Sequence, residues 1–194
     1  LTVPADCGWH WQGFEVVGGP PIAAVELRSN LVAGANLVMD ELEADYAASV
    51  ATYCTAKFNS LNCTPRIEVH GFPQAAATDG WAINAVRVRG GTPGVLLYTV
   101  GGARAAVPVS CGTLCIGPSG VRRTVPVQSS FGQLCTGVYS LDMNKFAAGV
   151  LGGSPSAALS VPGTLVHAQW WGRDQGFAPP CNTTLSNAVE YVVQ

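Results

Sequence analysis

The stretch WAINAVRVRGGTPGVLLYTV, residues 81–100, decides the fold class. In residues 81–89, apolar and polar side chains alternate as they do in a strand with one buried face. The alternation slips near Ala85, which predicts a β-bulge. Residues 94–100 form an uninterrupted apolar run, which is typical of a strand buried on both faces. This stretch therefore indicates a β protein.

The same texture continues on both sides of this stretch. The chain carries 23 Gly and 13 Pro, which favour tight turns over long helices. Asp142 has the position of an N-cap before one helical turn, and a second short helix is predicted around the acidic cluster at residues 40–45. We therefore expect an all-β fold, a two-sheet, jelly-roll-like sandwich with one or two short helices. The further predicted strands cover residues 14–17, 66–70, 121–127, 136–141, 164–171 and 188–193.

The domain organisation is expected to be simple. A length of 194 residues fits one large domain with an additional arm. Residues 1–21 end in the breaker Gly-Gly-Pro-Pro, so we expect them to form an N-terminal arm. The β-sandwich domain is then predicted at residues 22–194.

The charge pattern excludes two classes of partner. Only 11% of the residues are charged and the net charge is −2, so the chain has no basic field to hold nucleic acid or an anionic membrane. The longest uncharged stretch, residues 146–172, is interrupted by glycines and prolines. Such a stretch cannot form a spanning helix, and no membrane span is predicted.

The cysteines indicate the compartment. Seven cysteines on a weakly charged chain favour an oxidising environment, where disulfides persist. The chain begins at Leu1 with no leader-like segment ahead of it, which we interpret as a processed, secreted chain. Seven cysteines allow many pairings, which the sequence alone leaves open. Cys111 and Cys115 could instead form a metal or redox pair, but their spacing is a poor zinc signature. No metal and no cofactor are predicted.

Several blocks of the chain resemble a C-terminal β-sandwich domain of large secreted proteins from environmental bacteria. The resemblance covers residues 53–194 and implies a secreted or cell-surface bacterial β-sandwich, with no catalytic role attached to it. The arm and the acidic cluster lie outside it. The blocks are YCTAKFNSLNCTP (53–65), GVLLY (94–98), GTLCIGPSGVRRTVPV (112–127), CTGVYSLDMNKFAAGVLGG (135–153) and VHAQWWGRDQGFAPPCNTTLSNAVEYVV (166–193).

The resemblance also implies a disulfide pattern. It pairs Cys54 with Cys63 and Cys115 with Cys135. Cys111 and Cys181 are additional here, and two extra cysteines are most simply one extra bridge. Cys7 is then left over, as a bridge to another subunit, as a free buried thiol, or as the partner of a cysteine paired wrongly above.

A second group of residues could contact sugars. Trp170 and Trp171 adjoin in a predicted strand, so one should fill the core while the other points outward. Trp9, Trp11 and Trp171 are candidates for stacking on a sugar, with packing as the alternative. Asn62 and Asn182 begin N-x-[ST] sequons and are possible glycosylation sites. Arg173 and Asp174 predict a local ion pair in the turn after Trp171.

No catalytic residue is predicted. His10, His70 and His167 are expected to be structural, because no motif places a nucleophile, a base and an orienting group together. We therefore expect a non-enzymatic protein.

Two functions compete. The first is a structural subunit that assembles with copies of itself into a surface fibre, its arm adding a strand to the next subunit. Cys7 would be a possible covalent lock in that assembly. The alternative is a carbohydrate-binding module of a secreted protein. The docking residues of the arm would be Leu1, Val3, Phe14, Val16 and Val17.

Overall fold

The structure is a computed structural model that describes residues 50–117, 119–132 and 134–194. The predicted arm, the strand at residues 14–17 and the acidic helix all lie outside the described residues. So do Cys7, Trp9 and Trp11.

The described residues are almost entirely β-structure. The one α-helix among them, α1 (Met143–Ala147), and a 3₁₀ turn (Ala157–Ser160) are both short, so the all-β prediction is confirmed. No helix in the described part of the chain is long and apolar enough to span a membrane. The strands are β1 (Ala51–Tyr53), β2 (Arg66–Gly71), β3 (Trp81–Val88), β4 (Pro93–Val100), β5 (Arg104–Val109), β6 (Gly112–Ile116), β7 (Arg122–Arg123), β8 (Val127–Gln128), β9 (Gly137–Asp142), β10 (Leu165–Arg173) and β11 (Thr183–Val192).

The strands form three antiparallel sheets. The largest has the order β1-β11-β10-β4-β7, with β8 also paired to β4. The second has the order β2-β3-β9, and the third is the hairpin β5-β6.

One hydrophobic core lies between the six-stranded and the three-stranded sheet. The Tyr139 ring of β9 stacks on Trp170 of β10 with centroids 5.3 Å apart. Trp170 Nε1 also donates to the carbonyl of Ile83 in β3, at 3.3 Å. Trp81 of β3 meets Tyr191 of β11 edge to face. Side chains from both sheets therefore pack into a single core.

The β5-β6 hairpin covers part of the opposite face of the large sheet. Cys115 and Ile116 of β6 are fully buried against Ala188 of β11. The buried Gln169 amide joins the two layers: its oxygen accepts from Cys115 N at 2.8 Å, and its nitrogen donates to Thr113 O at 3.0 Å. A buried amide that is hydrogen-bonded in this way costs little.

Most strand predictions agree with the structure, including the bulge, where the β3–β9 register shifts between Ala85 and Val88. The N-cap prediction is confirmed, because Asp142 Oδ1 accepts from Lys145 N at 3.0 Å. Residues 121–127 are not one strand but the two short strands β7 and β8. Pro126 lies between them and has no N–H to donate to a ladder.

Two other strands differ from their predictions. β4 is buried on the core face, but Val95 and Leu97 on its other face are only half-buried, because the hairpin covers only part of that face. β11 begins at Thr183, five residues before the predicted start. The first residues of β11 include Thr183, Thr184 and Ser186, whose polar side chains are nevertheless buried in the sheet.

The described residues contain three disulfides, which involve the six cysteines predicted to be bridged. The Cys111–Cys181 pair is confirmed, with its Cα atoms 5.1 Å apart. The other two predicted pairs are wrong. Cys54 is bonded to Cys115 and Cys63 to Cys135.

The topology explains the correct pairing. Cys63 and Cys135 precede β2 and β9, which both run antiparallel to β3, so the two strands begin at the same end of the sheet. Cys54 follows β1 of the six-stranded sheet. Cys115 is in β6, which packs against β11, the neighbour of β1. Each bridge therefore joins neighbours in space, and the short loop between Cys54 and Cys63 connects two different sheets.

Candidate functional site

Trp170 and Trp171 point to opposite faces of β10, as the sequence predicts. Trp170 is 1% exposed and belongs to the core. Trp171 is half-buried on the other face, with Val95 of β4 and Leu185 of β11 as its cross-strand partners.

Trp171 borders a surface recess of about 150 Å³. This volume is well below the roughly 300–1,000 Å³ of an enclosed ligand cavity, so the recess suits one ring or the edge of a chain. Its exposed wall is mainly apolar, with one cation at the rim. The lining residues are Pro93, Gly94, Val95, Pro126, Trp171 and Arg173.

The backbone at and beside the recess packs directly on a core side chain. Gly94 and Gly172 are cross-strand partners in β4 and β10. A Cβ at Gly94 would lie 2.7 Å from the Tyr139 ring, and one at Gly172 would lie 2.8 Å from it. The Tyr139 ring therefore packs directly on both backbones, and its hydroxyl lies 2.7 Å from Thr92 Oγ1. Burial raises the pKa of Tyr139, which keeps this anchor neutral.

Arg173 supplies the charge of this site. Its guanidinium carbon lies 5.1 Å from the centroid of the Trp171 ring, a cation–π geometry. Arg173 follows Trp171 by two residues, so both side chains are on the same face of the strand. In the described part of the chain, no carboxylate lies within ion-pair distance of Arg173.

The predicted ion pair between Arg173 and Asp174 is wrong. Consecutive residues near a strand end point to opposite sides, and Asp174 is fully buried on the other side. It accepts from Ser60 N at 2.6 Å and from Gly176 N at 3.2 Å, and it pairs with Arg89 at 3.6 Å. Asp174 thus holds two loops together, and no described carboxylate neutralises Arg173.

A second cluster of polar residues lies where β5 meets the large sheet. Tyr53 Oη lies 3.0 Å from His167 Nδ1, and Glu190 Oε2 lies 3.6 Å from the same nitrogen. Glu190 receives two hydrogen bonds from Arg104, at 2.8 and 2.5 Å. The Arg104 guanidinium also lies over the Tyr53 ring, at 4.6 Å.

The electrostatics of this cluster are consistent with a structural role, in which Arg104 of β5 is held to the six-stranded sheet. Burial, followed by the charge of Glu190, raises the pKa of Tyr53 to about 12, while Arg104 opposes that shift. The Arg104 hydrogen bonds lower the pKa of Glu190. His167 is 2% exposed, and its Nε2 has no hydrogen-bond partner among the described residues. Thr99 of β4 is its cross-strand partner, but the Thr99 hydroxyl makes no hydrogen bond to His167 or to any other described residue.

The remaining predicted site residues are scattered. Asn62 is exposed with φ +61°, and Asn182 is half-buried beside the buried Thr184. A second recess, of about 10 Å³ beside Trp81, has room for about one water molecule. Within residues 50–117, 119–132 and 134–194, no group of three or more His, Cys, Asp or Glu could hold a metal ion.

Sequence reasoning found Trp171 but missed the rest of the recess. The spacing of Trp171 and Arg173 could have shown that they share a face. Pro93 and Pro126 come together only through the β4–β8 pairing, which has no local signal. Comparisons with protein-family models, with curated proteins and with solved structures find no match to this chain.

Proposed function

We propose that this chain is a non-catalytic carbohydrate-binding domain of an extracellular bacterial protein, with Trp171 as its sugar-stacking residue. The observation that carries the proposal is the half-buried indole at the edge of an open, mainly apolar recess. The apolar face of a sugar ring can pack on an indole, while its hydroxyls remain in water. A shallow recess admits one unit of a long polymer, which an enclosed pocket would not.

The setting supports this proposal. Three disulfides in a small domain are compatible with an extracellular location. We also propose the jelly-roll-like sandwich as the architecture, supported by the two antiparallel sheets that share a core. Sugar on Asn62 or Asn182 would cover part of a weakly charged surface, and each sequon remains a proposal.

The experiment compares polysaccharide binding of two variants. Trp171→Ala removes the indole, and Phe131→Ala is the matched control because Phe131 is 92% exposed and does not line the recess. We expect Trp171→Ala to lose binding in affinity electrophoresis against a panel of neutral and acidic polysaccharides, while Phe131→Ala keeps it. Binding by no member of the panel, or equal binding by both variants, would reject the proposal.

The fibre function remains a second proposal, supported by an open sheet. Among the described strands, β2 and β9 each pair only with β3, so the three-stranded sheet has two free edges. An arm from another copy could add a strand to such an edge. The docking residues would be Leu1, Val3, Phe14, Val16 and Val17, with Cys7 as the possible covalent link between copies.

Negative-stain imaging tests the fibre proposal. We expect the full chain to form fibres and a chain lacking residues 1–17 to stay dispersed. The double variant Val16→Asp, Val17→Asp should act like the deletion, and Thr2→Asp should not. Absence of fibres from the full chain, or unchanged fibres after the deletion, would reject this proposal.

A further inference from the structure

A second cation, Arg123 of β7, lies on the same face of the sheet as the recess. Arg123 of β7 is the cross-strand partner of Leu97, and cross-strand partners share a face of the sheet. Leu97 lies two residues from Val95, which lines the recess, so the two positions are about 7 Å apart along β4. Arg123 is therefore on the same face of the sheet as Trp171 and Arg173.

Neither cation is neutralised within the described part of the chain. Arg123 and Arg173 are both exposed, and neither forms an ion pair there. The nearest carboxylate in sequence, Asp174, is buried and bound to Arg89 and Ser60. The face around the recess is thus positive, although the whole chain carries a net charge of −2.

The position of Arg173 also limits what can stack on Trp171. Its guanidinium lies over the indole ring, so a neutral sugar must displace it or use the other face. A ligand with an oxyanion group can instead keep the guanidinium in place and bind to it. A guanidinium offers paired N–H donors that match carboxylate oxygens.

We propose that the recess binds acidic polysaccharides, with Trp171 packing on the sugar ring and Arg173 and Arg123 binding its anionic groups. This inference rests on the proposed carbohydrate-binding function and specifies the class of ligand. Sulfate groups and carboxylates are both oxyanions that a guanidinium can bind. Testing a carboxylated and a sulfated polysaccharide side by side shows which of the two anionic groups is bound.

The experiment measures binding of the full chain to polygalacturonate, dextran sulfate and dextran, at low and high salt. We expect binding to the acidic polymers to exceed binding to dextran and to weaken as salt rises. Arg173→Gln and Arg123→Gln should each weaken acidic binding by about five-fold, as expected of partly exposed ion pairs. Arg66→Gln is the matched control, since Arg66 is exposed on the other sheet.

The outcomes distinguish failure of the acidic specificity from failure of the proposed carbohydrate-binding function. If dextran binds as well as the acidic polymers, and Arg173→Gln leaves all binding unchanged, the acidic specificity is overturned and carbohydrate binding stands. If no polysaccharide binds, both fall. Arg173→Gln should also leave dextran binding equal or stronger, because it uncovers the indole. Loss of neutral and acidic binding together in that variant would contradict the role given to Arg173.

Discussion

Lys57 is the residue at which three segments of the chain meet. Its ammonium donates to Ser110 O at 2.9 Å, to Thr183 O at 2.7 Å and also to Cys181 O. The side chain is 8% exposed, and burial lowers the pKa of Lys57 while Asp174 opposes that shift. A buried cation surrounded by carbonyls is stable only while those hydrogen bonds are made.

Replacement of Lys57 by Met should lower the free energy of unfolding by about 2–3 kcal/mol, since charge-assisted hydrogen bonds are lost and buried carbonyls remain without a donor. Urea unfolding measures this change. Lys145→Met is the matched control, because the Lys145 ammonium makes no hydrogen bond to a described residue. Equal stability of the two variants would contradict the role of Lys57.

Tyr53 predicts a specific alkaline behaviour. Its pKa is raised to about 12 from an ordinary value of 10.0, so the folded state favours the neutral phenol. A raised pKa contributes stability that is fully present below pH 10 and is lost as the pH rises through about 12. Absorbance titration of the wild type minus Tyr53→Phe should therefore show ionisation near pH 12. Ionisation near pH 10 in the folded chain would contradict the environment described for Tyr53.

At the scale of elements, local sequence patterns predicted strands and a helix cap but not the pairing between strands. Alternation placed β3 and its bulge, because side-chain period is a property of the strand itself. Asp142 was found as an N-cap for the same reason. Pro126 is a local signal for the break between β7 and β8, but the pairing of each short strand with β4 has no local signal.

The disulfides show the same limit. The resemblance implied a Cys54–Cys63 pair, but the segment between these two residues leads from one sheet to the other. Only the strand order brings Cys63 beside Cys135. The separations within the three bridges are 61, 72 and 70 residues, so each should stabilise the fold by restricting a long loop, by about 4 kcal/mol in the chain-entropy treatment.

Tryptic digestion of the denatured, unreduced chain distinguishes the two patterns. The structure predicts one cluster of the peptides 29–57, 105–122 and 174–194, and a separate pair of 58–66 with 124–145. Mass spectrometry identifies these species. A pair of 29–57 with 58–66 would instead restore the pairing expected from the resemblance and contradict the structure.

At the scale of the whole molecule, the sequence predicted the all-β class and one outward tryptophan in β10. It did not predict the surroundings of Trp171, because Pro126 and Arg123 reach this face through long-range pairing with β4. The arm with Leu1, Val3, Cys7 and the other docking residues lies outside the described residues, so its predictions stand as made.

The most direct test of the carbohydrate proposal is the affinity of the full chain for polygalacturonate, measured by titration calorimetry on the wild type and Trp171→Ala. The account predicts saturable binding by the wild type and a loss of up to about ten-fold in the variant, since an aromatic contact contributes about 0.5–1.5 kcal/mol. Both chains must unfold at the same urea concentration, which separates loss of binding from loss of fold. Equal affinity of two equally stable chains would contradict the account.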